Sequence, residues 1–272
     1  MTIYPGQYVK CIHKNNNFEF IYHNNYESRG MSVEKMIRDA ANTHNIVKDF
    51  SFIVNTGDIP EGNSDQFPIY HFCNKQEYSY LFPDFMYDGW PEIKMPNYTN
   101  LINEIIKYDL PPMSNKAGWI GVINQHHTRH LLYKHSKIND NIECIPIQWA
   151  HDGNTLNAVN YMSYFDHMSK WKYMIDVEGC GWSARLKVFL TMPRITFIVD
   201  RPYKDWCFEF LEPWKHYIPV KRDLSDFQEN YNKIESDYDL QRYIIEEKSK
   251  LYDQCLSYSA ALNQINYLIS RI

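Results

Sequence analysis

Apolar and polar positions alternate through residues 8–22, and the alternation breaks at Asn15-Asn16-Asn17. Period two on both sides of an Asn-rich break predicts a β-hairpin. The period then lengthens. Residues 33–44 carry apolar side chains at helical spacing behind Ser32, an N-cap residue type, and predict a helix. The aromatic and β-branched run 50–54 predicts a strand, with 55–60 as the loop at its C-terminal end. A second strand is expected at 69–73, a loop at 81–90, and a short helix at 101–108 capped by Asn100. Pro111 and Pro112 deny both helix and central strand, so 110–115 reads as a linker.

Beyond the linker, strands are expected at 117–122 and 144–148, and helices at 128–136 (opened by Thr128) and 163–171. An apolar run at 173–177 ends in Glu178-Gly-Cys-Gly181. Ser183 then sits where a helix N-cap belongs, with Arg185 in the first turn, and 195–199 is apolar again. Strand, Gly-rich turn, helix and strand make a βαβ unit. A short strand at 217–220 follows, and Asp223-Leu-Ser-Asp226 starts a helical tail that reaches 272. This order predicts an α/β protein with two Rossmann-like lobes facing a cleft. The expected divisions are 1–112, 113–227 and a helical tail at 228–272.

Composition narrows the function. A chain of 272 residues, 44% hydrophobic and 22% charged, has ample core for a globular protein. A net charge of -5 argues against a nucleic-acid binder, which is usually basic. The many rings, 22 Tyr, 14 Phe and 7 Trp, suit sugar faces and ordinary cores alike. No apolar run approaches the roughly 20 residues that cross a bilayer. Met1-Thr-Ile-Tyr-Pro-Gly6 lacks the charged and apolar regions of a signal peptide. The cysteines, Cys11, Cys73, Cys144, Cys180, Cys207 and Cys255, are scattered without metal spacing. Six reduced thiols and no leader predict a cytoplasmic protein.

Three places carry candidate chemistry. The turn 178–185 brings backbone N–H groups, the Ser183 hydroxyl and the Arg185 guanidinium to one helix N-terminus, a site for an anion and most often a phosphate. It is neither a dinucleotide fingerprint nor a Walker A loop. Asp58 follows a strand of the first half, where α/β proteins place catalytic groups. It reads either as a general base or as an ordinary turn Asp after Gly57. His126 and His130 are four apart, but Thr128 as the cap leaves His126 in a loop and no carboxylate is near, so no metal site is expected. Arg129, at that helix start, is better placed for a phosphate. Lys221-Arg222 reads as a solvated pair and His216 as a buried, hydrogen-bonded histidine. No Gly-x-Ser-x-Gly elbow supports a serine triad.

Two segments sharpen this. Asp176-Val-Glu-Gly-Cys-Gly-Trp-Ser-Ala-Arg-Leu-Lys187 and Phe210-Leu-Glu-Pro-Trp-Lys-His-Tyr-Ile-Pro-Val-Lys-Arg-Asp-Leu-Ser-Asp226 resemble, in order and spacing, the two long motifs of glycosyltransferase family 90. That group contains the fungal capsule-associated CAP10 proteins and the Rumi-type protein O-glucosyltransferases. Looser matches lie at 52–60, Phe82-Pro-Asp-Phe85, and Trp119-Ile-Gly121 followed by Arg129. The resemblance implies a GT-B arrangement and an inverting, metal-independent transfer from a nucleotide sugar, usually a UDP-sugar. The acceptor would be a hydroxyl of a glycan or protein. It implies Asp58 as the base, Ser183 and Arg185 on the donor diphosphate with Arg129 as a further candidate, and Glu178 and Gly179 near the ribose. No cofactor is implied beyond the donor. The chain departs from the family at Thr191-Met-Pro-Arg194, where relatives often carry Gly-Ser. Relatives are also usually longer, secretory and disulfide-bonded, so the missing leader suits a viral or bacterial cytosolic member. The alternatives are a nucleotide- or sugar-binding protein of the same fold without activity, and another Rossmann-type transferase such as a methyltransferase.

Overall fold

The computed structural model of the protein describes residues 3–272 apart from 25, 26, 96, 109, 153, 154, 160 and 161, and the backbone alone of 27, 149–152 and 155–159. Met1 and Thr2, part of the N-terminal reading above, lie outside the described residues.

The hairpin forms as the alternation requires. Strands β1 (Tyr8–Lys14) and β2 (Asn17–His23) pair antiparallel, with Lys14 opposite Asn17. The two turn residues Asn15 and Asn16 take φ of 51° and 59°, the left-handed conformation that asparagine tolerates and a tight hairpin needs. Helix α1 (Glu27–His44) starts before Ser32, so Ser32 is no cap. It is buried within the helix, and its hydroxyl donates to Asp88 Oδ2 at 3.0 Å. Strands β3 (Phe50–Asn55) and β4 (Ile69–Tyr70) complete a sheet of order β2-β1-β3-β4. Only β3 and β4 run parallel. The first sheet is therefore mixed, where a parallel Rossmann-like lobe was expected. β1 enters as the far arm of a hairpin and meets β3 head to tail. Helix α2 (Tyr98–Ile105) is capped by Asn97, whose side chain accepts the Asn100 N–H, one turn ahead of the expected cap.

The second half holds strands β5 (Ser114–Gly121), β6 (Ile142–Pro146), the hairpin β7 (Gln148–Asp152) and β8 (Thr155–Val159), then β9 (Trp171–Asp176), β10 (Ile195–Val199) and β11 (Ile218–Val220). Helices α3 (His127–His135), α4 (Tyr164–Lys170) and α5 (Leu186–Thr191) connect them, and α6 (Phe227–Ser236), α7 (Tyr238–Ser249) and α8 (Tyr258–Ser270) form the tail. Five strands make an all-parallel sheet of order β11-β10-β9-β5-β6. Both faces are covered, which is why β9 and β10 are mostly apolar, with Lys172, Asp176 and Thr196 the exceptions. β5 starts at Ser114, inside the expected linker. An added Cβ on Gly118 would overlap the Trp171 ring at 1.8 Å, so the Trp packs across β5 only because that position is glycine.

One buried cluster joins the halves. It includes Val9, Phe52 and Val54 of the first sheet, Met174 and Ile198 of the second, and Ile265 and Leu268 of α8. The tail returns to the first half, where the Tyr70 hydroxyl donates to the Leu268 carbonyl at 3.1 Å and the Tyr258 hydroxyl to Asp39 at 2.6 Å. No helix among the described residues is long and apolar enough to cross a membrane.

Two buried cations stiffen α5. Lys187 Nζ sits 2.7 Å from Asp84 Oδ2, each side chain about 1% exposed. Removing one partner of such a pair costs about 3–5 kcal/mol, so Lys187→Ala should lower the unfolding free energy by that order in denaturant titrations. Lys248 is 2% exposed and donates to the Phe189 and Arg194 carbonyls. Burial lowers its pKa to about 7. Between about pH 7 and 10.5 the unfolded chain then binds the proton that the folded chain lacks, so this group's contribution to stability rises with pH. Relative to Lys248→Met, the native protein should gain about 1 kcal/mol per pH unit from pH 7 to 9. Parallel unfolding curves for the two proteins across that range would contradict it.

Candidate active site

The strand order reverses between β5 and β9. The connection from β5 leads to β6 on one side, and the chain from β9 proceeds to β10 and β11 on the other. In parallel sheets such a switch point opens a crevice at the carboxyl ends of the strands. The residues picked from the sequence as candidates for the donor side, Arg129, Glu178, Gly179, Ser183 and Arg185, lie there.

Asp176 ends β9 and is fully buried. Its Oδ1 accepts the Ser183 hydroxyl at 2.6 Å, and its Oδ2 lies 2.6 Å from Arg201 Nη2, which also donates to the Asp176 carbonyl. Ser183 is thus turned toward Asp176 and caps no helix. The N-cap position of α5 falls on Arg185, and α5 has six residues. The strand-turn-helix is present as expected, but the helix starts later and contributes less dipole than a long one. Arg185 Nη1 donates to the Ile120 carbonyl at the end of β5, so its guanidinium bridges the switch point.

Glu178 is 2% exposed. Its Oε1 accepts from the Thr128 hydroxyl at 3.0 Å and from Arg222 Nη2 at 2.8 Å. His126 Nδ1 is 3.2 Å away. Burial lowers the His126 pKa, so the neutral ring accepts the Thr128 N–H as the cap of α3 and Arg222 answers the Glu178 charge. Thr128, expected as the cap, is inside the helix. Lys221 and Arg222 are both exposed, as expected, but Arg222 also pairs with the buried Glu178. Arg129 is 8% exposed, its Nε donating to the Glu178 carbonyl and its Nη1 to Val122 O and Gln125 Oε1. Burial and the nearby Arg185 charge lower its pKa to about 10. Gly179 N–H donates to the Trp182 carbonyl and closes the turn. Among the described residues no group of three or more His, Cys, Asp or Glu is placed to hold a metal ion.

Asp58 comes to the same place from the first sheet. Asn55, at the end of β3, ties its loop by accepting the Gly57 N–H at 2.8 Å and donating to the Ile59 carbonyl at 2.8 Å. A Cβ built on Gly181 would lie 1.8 Å from the Asp58 carbonyl oxygen. The loop carrying the candidate base therefore rests on the candidate donor turn, and only glycine at 181 permits the contact. The Asp58 carboxylate is 46% exposed and accepts from Arg29 Nη1 at 3.0 Å. Arg29 also donates to the Thr56 carbonyl and lies 4.8 Å over the Phe85 ring.

Sequence reading missed Arg29, Asp176, Arg201 and the role of Arg222. Asp176 had a signal, a carboxylate directly after the apolar residues Tyr173, Met174 and Ile175. Arg29 had none, because its partner is 29 positions away.

Residues 8–263 match the family model Glycosyl transferase family 90. The chain belongs to that family. Protein O-glucosyltransferase 1 of Rattus norvegicus is 25% identical over 250 residues, 83% of this chain and 62% of its own. Protein O-glucosyltransferase 2 of Danio rerio is 26% identical over 206 residues, 66% of this chain and 38% of its own. Protein O-glucosyltransferase 3 of Homo sapiens is 36% identical over 74 residues, 27% of this chain and 14% of its own. The chain thus spans less than two thirds of the length of each. One expectation is overturned. The protein O-glucosyltransferases it resembles act in the lumen of the endoplasmic reticulum, which conflicts with a cytoplasmic assignment. That assignment rested on scattered cysteines and on the first residues, and unpaired buried thiols such as Cys11 and Cys255 record packing rather than compartment.

Gly181→Ala forces backbone against backbone. Overpacking of this kind costs about 1–3 kcal/mol, so the melting temperature should fall by roughly 2–10 °C. An unchanged melting curve would mean that the two loops are not in contact.

Proposed function

We propose that the protein transfers a sugar from a nucleotide sugar, with UDP as the leaving group, to an acceptor hydroxyl with inversion at the anomeric carbon. The observation that carries this reading is the contact of the Asp58 carbonyl with Gly181, which seats the loop bearing that carboxylate on the anion turn of the second half. Asp58 takes the acceptor proton, and the acceptor oxygen attacks the anomeric carbon from the face opposite the diphosphate. Arg185 and the Ser183 turn hold the diphosphate, with Arg129 behind them. Four guanidinium groups (Arg129, Arg185, Arg201 and Arg222) gather around two buried carboxylates, Asp176 and Glu178. That excess favours an incoming anion and stabilises the charge that grows on the leaving group. The two halves act as acceptor-side and donor-side lobes of a GT-B arrangement, joined near 110–113. The relatives' names make glucose the first sugar to try and a protein hydroxyl the first acceptor.

Arg29 favours a second reading. Its ion pair already occupies Asp58, as in a protein that binds nucleotide sugars without transferring them.

UDP at 100 times its dissociation constant should stabilise the protein by about 2.7 kcal/mol in a thermal-shift assay, and Arg185→Ala should abolish the shift. Asp58→Asn should keep UDP binding and lose about 10²–10⁴ in turnover. Full turnover in Asp58→Asn would sink the base assignment. UDP binding with no transfer or hydrolysis of any UDP-sugar by the native protein would favour the second reading.

A further inference from the structure

Asp58 is held by its backbone and aimed by its side chain, and different residues do the two jobs. Its carbonyl rests on Gly181 and accepts the Cys73 thiol at 3.5 Å. Burial pushes the Cys73 thiol up, so it stays protonated and keeps donating. Asn55 ties the loop from the other side. None of these contacts reaches the carboxylate. That group is 46% exposed, and among the described residues its one partner is Arg29.

Arg29 has a rigid mount. It lies in the first turn of α1, and a neighbouring stripe of that helix fastens to the segment 88–92. Ser28 donates to Glu92, Ser32 donates to Asp88, and Lys35 pairs with Asp88 at 2.8 Å. Positions 28, 32 and 35 share one helix face. The Arg29 side chain is 15% exposed and its cation sits over the Phe85 ring, an attraction that strengthens as water is excluded. Its Nη1 is shared between the Thr56 carbonyl at 2.9 Å and Asp58 Oδ1 at 3.0 Å. Thr56 is fully buried, so the nitrogen that reaches Asp58 is anchored to the core.

The ion pair takes one carboxylate oxygen. A fork of two parallel N–H groups would take both, but here no hydrogen bond from a described residue reaches Oδ2. We propose that Arg29 is a positioning residue for the transfer: it pins Oδ1 and so presents Oδ2 to the acceptor. This rests on the transferase reading above. In that step Oδ2 takes the proton of the acceptor hydroxyl as its oxygen bonds to the anomeric carbon. The bond from that carbon to the diphosphate oxygen breaks, and its electron pair leaves with UDP. Arg29 exchanges no proton. It removes the rotational freedom that an exposed carboxylate on a loop otherwise keeps, and a base works only within a narrow range of geometry. A pair that blocked the base would have to occupy Oδ2 as well.

Turnover of UDP-sugars with water as the acceptor, UDP-glucose first, tests the role. Arg29→Met keeps an apolar stem on Phe85 and removes the charge. Asn55, Cys73 and Gly181 still hold the loop, so the variant should fold and its UDP affinity should stay unchanged. Its kcat should fall by about 10²-fold, with KM for the donor unaltered. In Arg29→Ala, methylguanidinium at a non-denaturing concentration should restore part of kcat, and it should do nothing for Asp58→Asn. An unchanged kcat in Arg29→Met overturns the positioning role, and a raised one shows that the pair is a lock. A loss carried by KM or by unfolding, with no rescue, also overturns it and leaves a structural residue. These outcomes leave the transferase reading standing. If the native protein turns over no UDP-sugar, that reading falls and the role of Arg29 falls with it.

Discussion

Lys187 and Asp84 meet where almost no water reaches, and the candidate site depends on that meeting. Lys187 Nζ lies 2.9 and 2.7 Å from the two carboxylate oxygens and donates to the Ala184 carbonyl at 2.7 Å. Asp84 also accepts from Trp182 Nε1 at 2.8 Å and from the Met86 N–H at 2.9 Å. Burying two charges is costly unless each finds several partners, and here both do. The pair is more a device for position than a source of stability. It fixes α5, and with it the turn 178–185, against the segment 82–85 of the first half. Phe85, next in the chain, lies under Arg29, and Arg29 holds Asp58. A line of contacts therefore runs from the back of the candidate donor turn to the candidate base.

Charge is unbalanced around this frame. Arg185 spans the switch point, Arg129 is buried behind it, and Arg201 and Arg222 each answer one buried carboxylate. Guanidinium suits such a place because it stays charged when buried and donates in several directions at once. Asp205, close to Lys187 and Asp84, shows the other side of the same economy. Burial pushes its pKa up to about 7, since the local cations are already engaged.

Much of the second half was legible. The runs 173–177 and 195–199 read as strands, and the structure has them at 171–176 and 195–199, because strands covered on both faces are mostly apolar. Asn15 and Asn16 announced their turn through chemistry local to two residues. Caps read less well. Ser32, Asn100, Thr128 and Ser183 each have the right side chain, yet Asn97 and His126 cap two of those helices, α1 begins before Ser32, and Ser183 serves Asp176. A hydroxyl that caps a helix and one that binds a buried carboxylate look alike in sequence. The hairpin 148–159 and the antiparallel pairing of β1 with β3 were also invisible, since pairing direction depends on the path of the connecting chain.

Periodicity and turn chemistry are local, and so the sequence alone determined the α/β class, the Gly-rich turn after β9 and the family. Asp58, Ser183, Arg185 and Glu178 were named from motif and position. Their meeting was decided only in three dimensions. Gly181 lies more than a hundred residues from Asp58, and Lys187 a similar distance from Asp84. Such contacts depend on two sheets closing over one core, which no window along the chain contains. Tertiary packing also gave the exposed Arg222 a buried partner in Glu178, and left one nitrogen of Arg201 without an acceptor.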